Sequence, residues 1–511
     1  MRLIGLDVGT TGCKAIVFTT CGEVIGEDFQ EYDIDTAGGS FAEQDAEYVW
    51  TCVKKVLKGS VRAARETSPN GQDNEVRAMG VSVQGDAVIP IDGQGKALAP
   101  AVLGMDYRSH LQSSRAAELC GERELFKKTG MRPHPMNSVT KMMLLKDEKK
   151  LVYESAEGLV TYADFIYGKL GAPGYIDYSM ASRTMAFSLA AYDWDPQILH
   201  ALGIDKKKLS IPVASGTPIG TIDPGVAAEV GLSENVKIVS GGHDQTCAAV
   251  GAGSIFPGVG VVSTGTAEVF SVLLEKPRLD DEMYNGYYPC YCHVVPQAYF
   301  SFSLNHVGGL LLKWYRDSFC QKEAEEAQQQ GKSVFSLLDE RMPEGPTEVM
   351  VLPHFNGSGT PWCDMQSRGA VIGMTLNTSK YEVARAILES QTYELAINIQ
   401  KILPEYEQLT EITAVGGGAK SPEWLQIKAD VLAVPIKTME CSEAGCMGAA
   451  IVAGAGSGVF QSLQQGVDVM VRVKKIYRPN EKRVERYKQL FSTYQKVYPA
   501  LKPLYQSLKN G

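Results

Sequence analysis

The stretch that most constrains this chain is Leu3 to Phe18, LIGLDVGTTGCKAIVF, because its pattern is written twice. An apolar run (Leu3, Ile4, Leu6) enters a polar turn carrying Asp7, Gly9, Thr10, Thr11 and Gly12, and leaves it as a second apolar run, Ala15 to Phe18. Two such runs joined across glycines predict a β-hairpin. Gly9 and Gly12 permit positive φ and close approach of backbone N–H groups to a ligand. Thr10 and Thr11 add hydroxyl donors and Lys14 a cation, so the turn can nest an anion such as phosphate. Asp7 would repel that phosphate unless a metal ion lay between them, and oxygen-ligated Mg²⁺ resolves the conflict. An ordinary hairpin is the simpler alternative. The second copy, Gly258 to Leu274, reads GVGVVSTGTAEVFSVLL. Ser263-Thr264-Gly265-Thr266 falls on Asp7-Val8-Gly9-Thr10 at an offset of about half the 511 residues, with the carboxylate in the first copy only. Two such turns facing one another across a cleft would hold one nucleotide, ATP, with the metal on the Asp7 side.

A chain of this length exceeds what one hydrophobic core sustains and predicts two domains or more. The N-terminus has no signal-peptide pattern and no apolar run reaches the roughly 18 residues of a membrane span. The net charge of −9 argues against nucleic acid or an anionic membrane as the main partner. The eleven cysteines are scattered and odd in number, and Cys290-Tyr291-Cys292 is too close-set for a zinc knuckle. Reduced thiols in a cytoplasmic protein are expected.

Along the chain, Val24 to Phe29 reads as a third strand, and Asp45 caps a helix from about Ala46 to Arg65. Ser68 to Asn74 is a polar loop. Val76 to Val83 is a buried strand ending in Gln84-Gly85-Asp86, and the carboxyl end of such a strand is where open α/β sheets place ligands. Asp86, Asp106 and Arg108 together suit a polyhydroxylated ligand; singly, each reads as a solvated loop charge. Ser109 to Gly171 is mainly helical, with Thr140 to Leu145 amphipathic, Lys141 on a helix surface and His134 structural. Asp177 to Phe187 reads as a loop packed on a cleft. Val236 to Ser240 is a strand, followed by a sharp turn at Gly241-Gly242 and a helix start at Asp244. That carboxylate can be a general base or an N-cap, and His243 could tune the site or, as preferred here, simply fill space. Ser303 to Trp314 starts a helix near Gly308 and Gly309, and Ser379 to Ile397 is a strongly amphipathic helix. Gly416 to Gly418 offers a purine a surface without side chains, ahead of a helix capped by Ser421 and Pro422. Gly445 to Gly456 would pack behind it. Tyr487, Phe491, Tyr494 and Tyr498 form a helical stripe for a core or a dimer interface.

Together these pieces resemble the FGGY carbohydrate kinases, the group of glycerol kinase, xylulokinase and gluconokinase. The most specific match is Gly369 to Glu389, GAVIGMTLNTSKYEVARAILE, which resembles the family's C-terminal signature. Asp7 to Thr11, Gly242-His243-Asp244, Ser263 to Thr266, Gly416 to Ala419 and the closing Tyr498 to Pro503 support it. The resemblance implies an α/β fold of two actin-like (ribonuclease H-like) ATPase domains flanking a cleft, residues 1–253 for sugar and catalytic base and 254–511 for ATP. It implies Asp244 as the base, Asp7 at the metal, and Thr10, Thr11 and Lys14 at metal and phosphate. Gly265, Thr266 and Gly309 would meet phosphate, Gly417 and Gly418 the adenine, and Gln84, Asp86, Asp106 and Asp244 the sugar. The implied reaction moves the γ-phosphate of ATP, with Mg²⁺, to a hydroxyl of a small-molecule sugar. A ketopentose such as D-xylulose comes first, with gluconate, a deoxy-ketose or a polyol as alternatives. Gly85-Asp86 departs from the Met-His usual in xylulokinases, and His243-Asp244-Gln245 from their Asp-Asn, whereas Ser179 to Phe187 leans towards xylulokinases and gluconokinases. A carboxylate at Asp86 facing the sugar would disfavour an anionic substrate. Neither a G-x-x-x-x-G-K-[ST] nor a G-x-G-x-x-G fingerprint occurs. The rival reading is an actin-fold ATP switch that phosphorylates no sugar.

Overall fold

The computed structural model describes residues 1–36, 39, 41–67, 75–403 and 409–508; the polar loop expected over 68–74 lies outside them. The first hairpin is β1 (Arg2–Val8) against β2 (Gly12–Thr19), followed by β3 (Val24–Glu31). On the other side of β1 lie β4 (Val76–Val83), β5 (Pro218–Thr221) and β6 (Lys237–His243), giving the order β5-β6-β4-β1-β2-β3. The second sheet repeats this plan. Its hairpin is β7 (Val259–Thr264) and β8 (Glu268–Leu274), and its further strands are β9 (Tyr291–Cys292), β10 (Tyr299–Asn305), β11 (Glu411–Val415), β12 (Ile436–Met439) and β13 (Val473–Tyr477). They run β9-β10-β8-β7-β11-β12-β13. In both sheets the opening strand pairs antiparallel with its hairpin partner and parallel with the strand on its other side. The duplication inferred from sixteen residues thus extends to whole sheets, with β9 added at one edge.

The helices that position the site are α1 (Ala46–Thr67), α2 (Ser138–Glu148), α3 (Tyr162–Leu170), α4 (Tyr178–Arg183), α5 (Asp244–Gly251), α6 (Gly309–Phe319), α7 (Lys380–Ile402), α8 (Pro422–Leu432), α9 (Ala444–Gly456) and α10 (Glu481–Tyr494). Asp45 and Ser421 cap α1 and α8 as expected, each accepting backbone N–H bonds.

Several local expectations are corrected. Asp177 to Phe187 is not a loop: Asp177 accepts from Met180 N at 3.0 Å and starts α4. Gly241 and Gly242 make no turn, because β6 continues to His243. A shift in its pairing with β4 leaves N–H groups over, and Gly241 N and His243 N donate instead to the hydroxyls of Tyr167 and Ser179. Ser303 to Asn305 is strand, and the helix waits until Gly309. Helices α2 and α7 are not amphipathic; both are buried on every side, α2 from Ser138 to Leu145 and α7 from Ala384 to Ile399. Lys141 is therefore no surface lysine: it is fully buried, donating to Pro135 O at 3.0 Å and to Met136 O. Tyr487, Tyr494 and Tyr498 are core, their hydroxyls donating to Glu389, Glu394 and Asp364, so the stripe offers no dimer surface.

Helix α9 does not pack behind the Gly416 turn. It lies on the first sheet, against β1 and β4, and crosses α5 at backbone distance. A Cβ at Gly5 would stand 1.8 Å from Cys446 O, one at Gly80 2.1 Å from Ala449 O, and one at Gly448 1.8 Å from Cys247 O. Helix α5 in turn buries Ala249 and Ala252 against Val261, Tyr291 and Phe300 of the second sheet. Helix α5 of the first half thus packs on the second sheet, and α9 of the second half on the first.

Alanine is favoured over glycine inside a helix by about 1 kcal/mol, but a methyl within 2 Å of a carbonyl forces the helices apart, at about 1–3 kcal/mol or more. Gly448→Ala is therefore expected to lower the thermal unfolding midpoint, whereas Gly168→Ala in α3, whose Cβ would meet only ordinary contacts from 3.7 Å outwards, should not lower it. Calorimetry of the two variants checks this, and a raised midpoint in Gly448→Ala would remove the crossing from the account.

Candidate active site

The first phosphate turn is built with its carbonyls tied back into the protein. Tyr32 Oη donates to Gly9 O at 2.7 Å, Gln84 Nε2 to the same oxygen at 3.2 Å, and Gln44 Nε2 to Thr10 O at 3.0 Å. Gln44 is itself held by the Tyr162 hydroxyl at 2.7 Å. Gly9 N closes the turn on Gly12 O. Among the described residues nothing inside the protein takes the N–H groups of Thr10 and Thr11, which leaves them for an anion. Gln84 thus spends its amide on the turn.

Asp7 ends β1 with Ser82 Oγ donating to its Oδ1 at 2.6 Å. Burial is the main cause holding its carboxyl above the usual range; Glu443 adds to the rise, while Ser82 and Lys14 oppose it. Lys14 faces Asp7 across the hairpin but pairs with Glu443, 3.2 Å away. No group of three or more His, Cys, Asp or Glu able to hold a metal occurs among the described residues. A half-buried carboxylate whose charge is disfavoured fits Mg²⁺ of the kind that binds through one carboxylate, water and substrate phosphates.

The second turn is one residue shorter, Gly265 N closing on Ala267 O at 2.9 Å. Gly309 N donates to Gly265 O at 2.8 Å and Gly308 N to Thr266 O at 2.7 Å, which docks the start of α6 on the turn. Gly416 to Gly418 lie over its root: a Cβ at Gly418 would stand 2.6 Å from Thr264 Cβ. The structure therefore brings Gly265, Thr266, Gly309, Gly417 and Gly418 together.

Asp244 opens α5 at the carboxyl end of β6. Its side chain is 35% exposed, to a cleft whose floor and walls are otherwise protein. Burial first, then the facing Asp7 and Asp86, push its carboxyl up to about 7 against the opposing pull of Gln245 N–H and Arg183. Such a carboxyl is half ionised near neutral pH, as a general base requires. His243 is more than filler, with Nε2 3.2 Å from Asp244 Oδ1.

Beside the base, Asp86 has φ +69° and forms a buried ion pair with Arg183. Asp86 Oδ1 and Arg183 Nε and Nη1 are buried without a hydrogen-bond partner, an acceptor and two donors left over beside Asp244. Asp106 is different. It has no exposed surface, and Ala42 N and the Arg108 guanidinium occupy its oxygens at 2.7–3.1 Å. It braces the wall, and neither it nor Asp86 is the solvated charge that either would be alone. A cavity of about 500 Å³ between residues 91–95, α3 and residues 207–211 shares none of these residues.

Sequence reasoning missed Arg183, whose helix is announced by Asp177 as a cap, and Tyr291, which arrives from the second sheet with no local signal. Two duplicated α/β halves with paired glycine turns and Asp244 facing Asp7 suit a phosphotransferase acting on an alcohol group. Residues 2–251 match the model of the N-terminal domain of the FGGY family of carbohydrate kinases, and residues 260–457 that of its C-terminal domain. The chain belongs to this family. It is 27% identical over 505 residues to a xylulose kinase of Staphylococcus epidermidis, covering 98% of this chain and 97% of the relative. It is 27% identical over 497 residues to a gluconokinase of Bacillus subtilis, with coverages of 96% and 94%. A ligand-bound xylulose kinase structure from Lactobacillus acidophilus superposes with TM-score 0.88 at 24% identity, covering 99% of each chain.

With a base at about 7, kcat/KM should fall about tenfold per pH unit below that value as the carboxylate is protonated. Asp244→Asn should lose about 10²–10⁴-fold in kcat and flatten the acid limb. A pH profile of both proteins checks this; an unchanged limb in the variant would assign it to another group.

Proposed function

We propose that this kinase transfers the γ-phosphate of ATP to a ketopentose, D-xylulose first, with residues 1–253 holding the sugar and base and 254–511 the nucleotide. The observation that carries the reading is the placement of Asp244 between the Asp86–Arg183 pair on one side and Asp7 with the first phosphate turn on the other. Asp7 and water would hold Mg²⁺, which neutralises charge on the phosphates when bound. Asp244 takes the proton of the attacking hydroxyl. The N–H groups of Thr10 and Thr11, and that of Thr266, hold the phosphoryl oxygens in line with it. Closure of the cleft excludes water and limits ATP hydrolysis. Eleven free thiols support a reducing compartment such as the cytoplasm.

A second reading, an aldonate such as gluconate, is supported by Arg183. Its guanidinium neutralises Asp86, which removes the repulsion expected of a bare carboxylate, and its spare Nε and Nη1 suit a carboxylate as well as hydroxyls. Coupled ADP release with MgATP should find one strong responder among xylulose, ribulose, fuculose, gluconate, glycerol and erythritol, abolished by Asp244→Ala. Response to gluconate would select the second reading; sugar-independent turnover, or turnover surviving Asp244→Ala, would favour the ATP switch.

A further inference from the structure

Strand β9 is the added edge of the second sheet, and its free side docks on the first domain. Cys290 N donates to Gly130 O at 2.9 Å and Cys292 N to Ser182 Oγ at 3.0 Å, so both neighbours of Tyr291 are pinned across the domain boundary. Two residues on, Val294 packs on Gly242, where a Cβ would come within 2.3 Å of it. Tyr291 itself is fully buried and points at the base. Its hydroxyl lies 3.1 Å from His243 Nδ1, and the other ring nitrogen, Nε2, lies 3.2 Å from Asp244 Oδ1. The Arg183 guanidinium sits 5.1 Å from the Tyr291 ring centre, and Phe300 and Phe302 close the remaining sides.

A neutral imidazole carries one proton, and its second nitrogen decides which ring atom holds it. Burial, with Arg183 adding, keeps His243 neutral by depressing its pKa well below the usual value. A lone pair on Nε2 would face the carboxylate and repel it. A proton there faces Oδ1 at 3.2 Å as an attractive charge contact, which leaves Nδ1 to accept from the Tyr291 hydroxyl.

We propose that Tyr291 and His243 are a positioning pair for the catalytic base, in which a hydroxyl from the second domain sets the imidazole tautomer and the imidazole orients the Asp244 carboxylate towards the substrate hydroxyl. Neither residue touches the reacting atoms. The pair makes the geometry of a base in one domain depend on the docking of an edge strand from the other, so a sugar hydroxyl meets an oriented base only when the strand is seated. This rests on Asp244 being the base.

The test is a double-mutant cycle on the full chain with the responding sugar. Tyr291→Phe removes only the hydroxyl and keeps the ring under Arg183. It is expected to lower kcat about three- to tenfold, the worth of one such hydrogen bond, with KM for sugar and ATP unchanged. His243→Leu should lower kcat at least as far, and His243→Gln, whose amide keeps an N–H near Nε2 without a tautomer to set, should recover most of it. In either His243 variant, Tyr291→Phe should have no further effect. Should His243→Leu fail to fold, the cycle runs on His243→Gln alone. A Tyr291→Phe loss that persists undiminished in the His243 variants, or that appears in KM, overturns the pair. So does an unchanged kcat in Tyr291→Phe while Asp244→Asn is inactive, which leaves the base itself standing. An active Asp244→Asn overturns both.

Discussion

The contact on which the rest depends is the crossing of α5 and α9, where two helices approach until carbonyl and Cα nearly touch. Glycines at 251 and 448 make it, and glycines at 5 and 80 let α9 settle equally close on the first sheet. Backbone packed on backbone has no side chains to repack and so tolerates little change in spacing. The site inherits that precision. Asp7 lies at the end of β1, Asp244 begins α5, and a Cβ at Gly445 in the first turn of α9 would stand 3.1 Å from the Asp7 carboxylate, so three elements converge at one point of the crossing. Because α5 packs on the second sheet and α9 on the first, each sheet is covered in part by a helix from the other half.

That convergence sets the electrostatics. Two carboxylates, Asp7 and Asp244, face the same cleft, and each is disfavoured as an anion chiefly by the protein around it. Their needs are opposite. Asp7 is relieved by a cation, whereas Asp244 is useful because it still binds a proton near neutrality. Arg183 prevents the cleft from becoming too acidic to ionise at all, cancelling Asp86 while pulling the base down. Lys141, held to about 8 by burial, adds a second cation close to the pair, anchored on the carbonyls of Pro135 and Met136.

What could be read from the chain was what repeats or punctuates locally. The hairpin turns, the caps at Asp45 and Ser421 and the strand before Gln84 are written in contiguous residues, and a duplicated turn carried a whole sheet with it. What could not be read was which face a segment turns to its surroundings. Helices α2 and α7 carry Lys141, Arg385 and Glu389, which in sequence suggest a wet face; in the fold these charges are buried and partnered, Arg385 by Glu389 and Glu423. Gly241 and Gly242 were ambiguous for a similar reason. Glycine serves a turn or a close approach, and only the positions of Val81 and Val294 reveal the second use. Asp7, Asp244 and the glycines of both turns lay at strand ends and were legible. Arg183 and Tyr291 reach the site from a short helix and a distant edge strand.

The two departures from the xylulokinase pattern, at Gly85-Asp86 and in His243-Asp244-Gln245, meet in space. A Cβ at residue 85 would stand 2.8 Å from His243 Nε2 and 3.6 Å from Arg183 Nε. A larger side chain after Gln84 therefore cannot coexist with the imidazole where it now lies, and a histidine before the base requires glycine at 85. Asp86, bent to positive φ beside that glycine, meets Arg183 instead of projecting alone into the cleft. The pair keeps one buried acceptor and two buried donors without a hydrogen-bond partner, an arrangement set jointly by residues distant in sequence. Gly85, Asp86, Arg183 and His243 are consequently packed as one set, and exchanging any one of them would disturb its neighbours in that set.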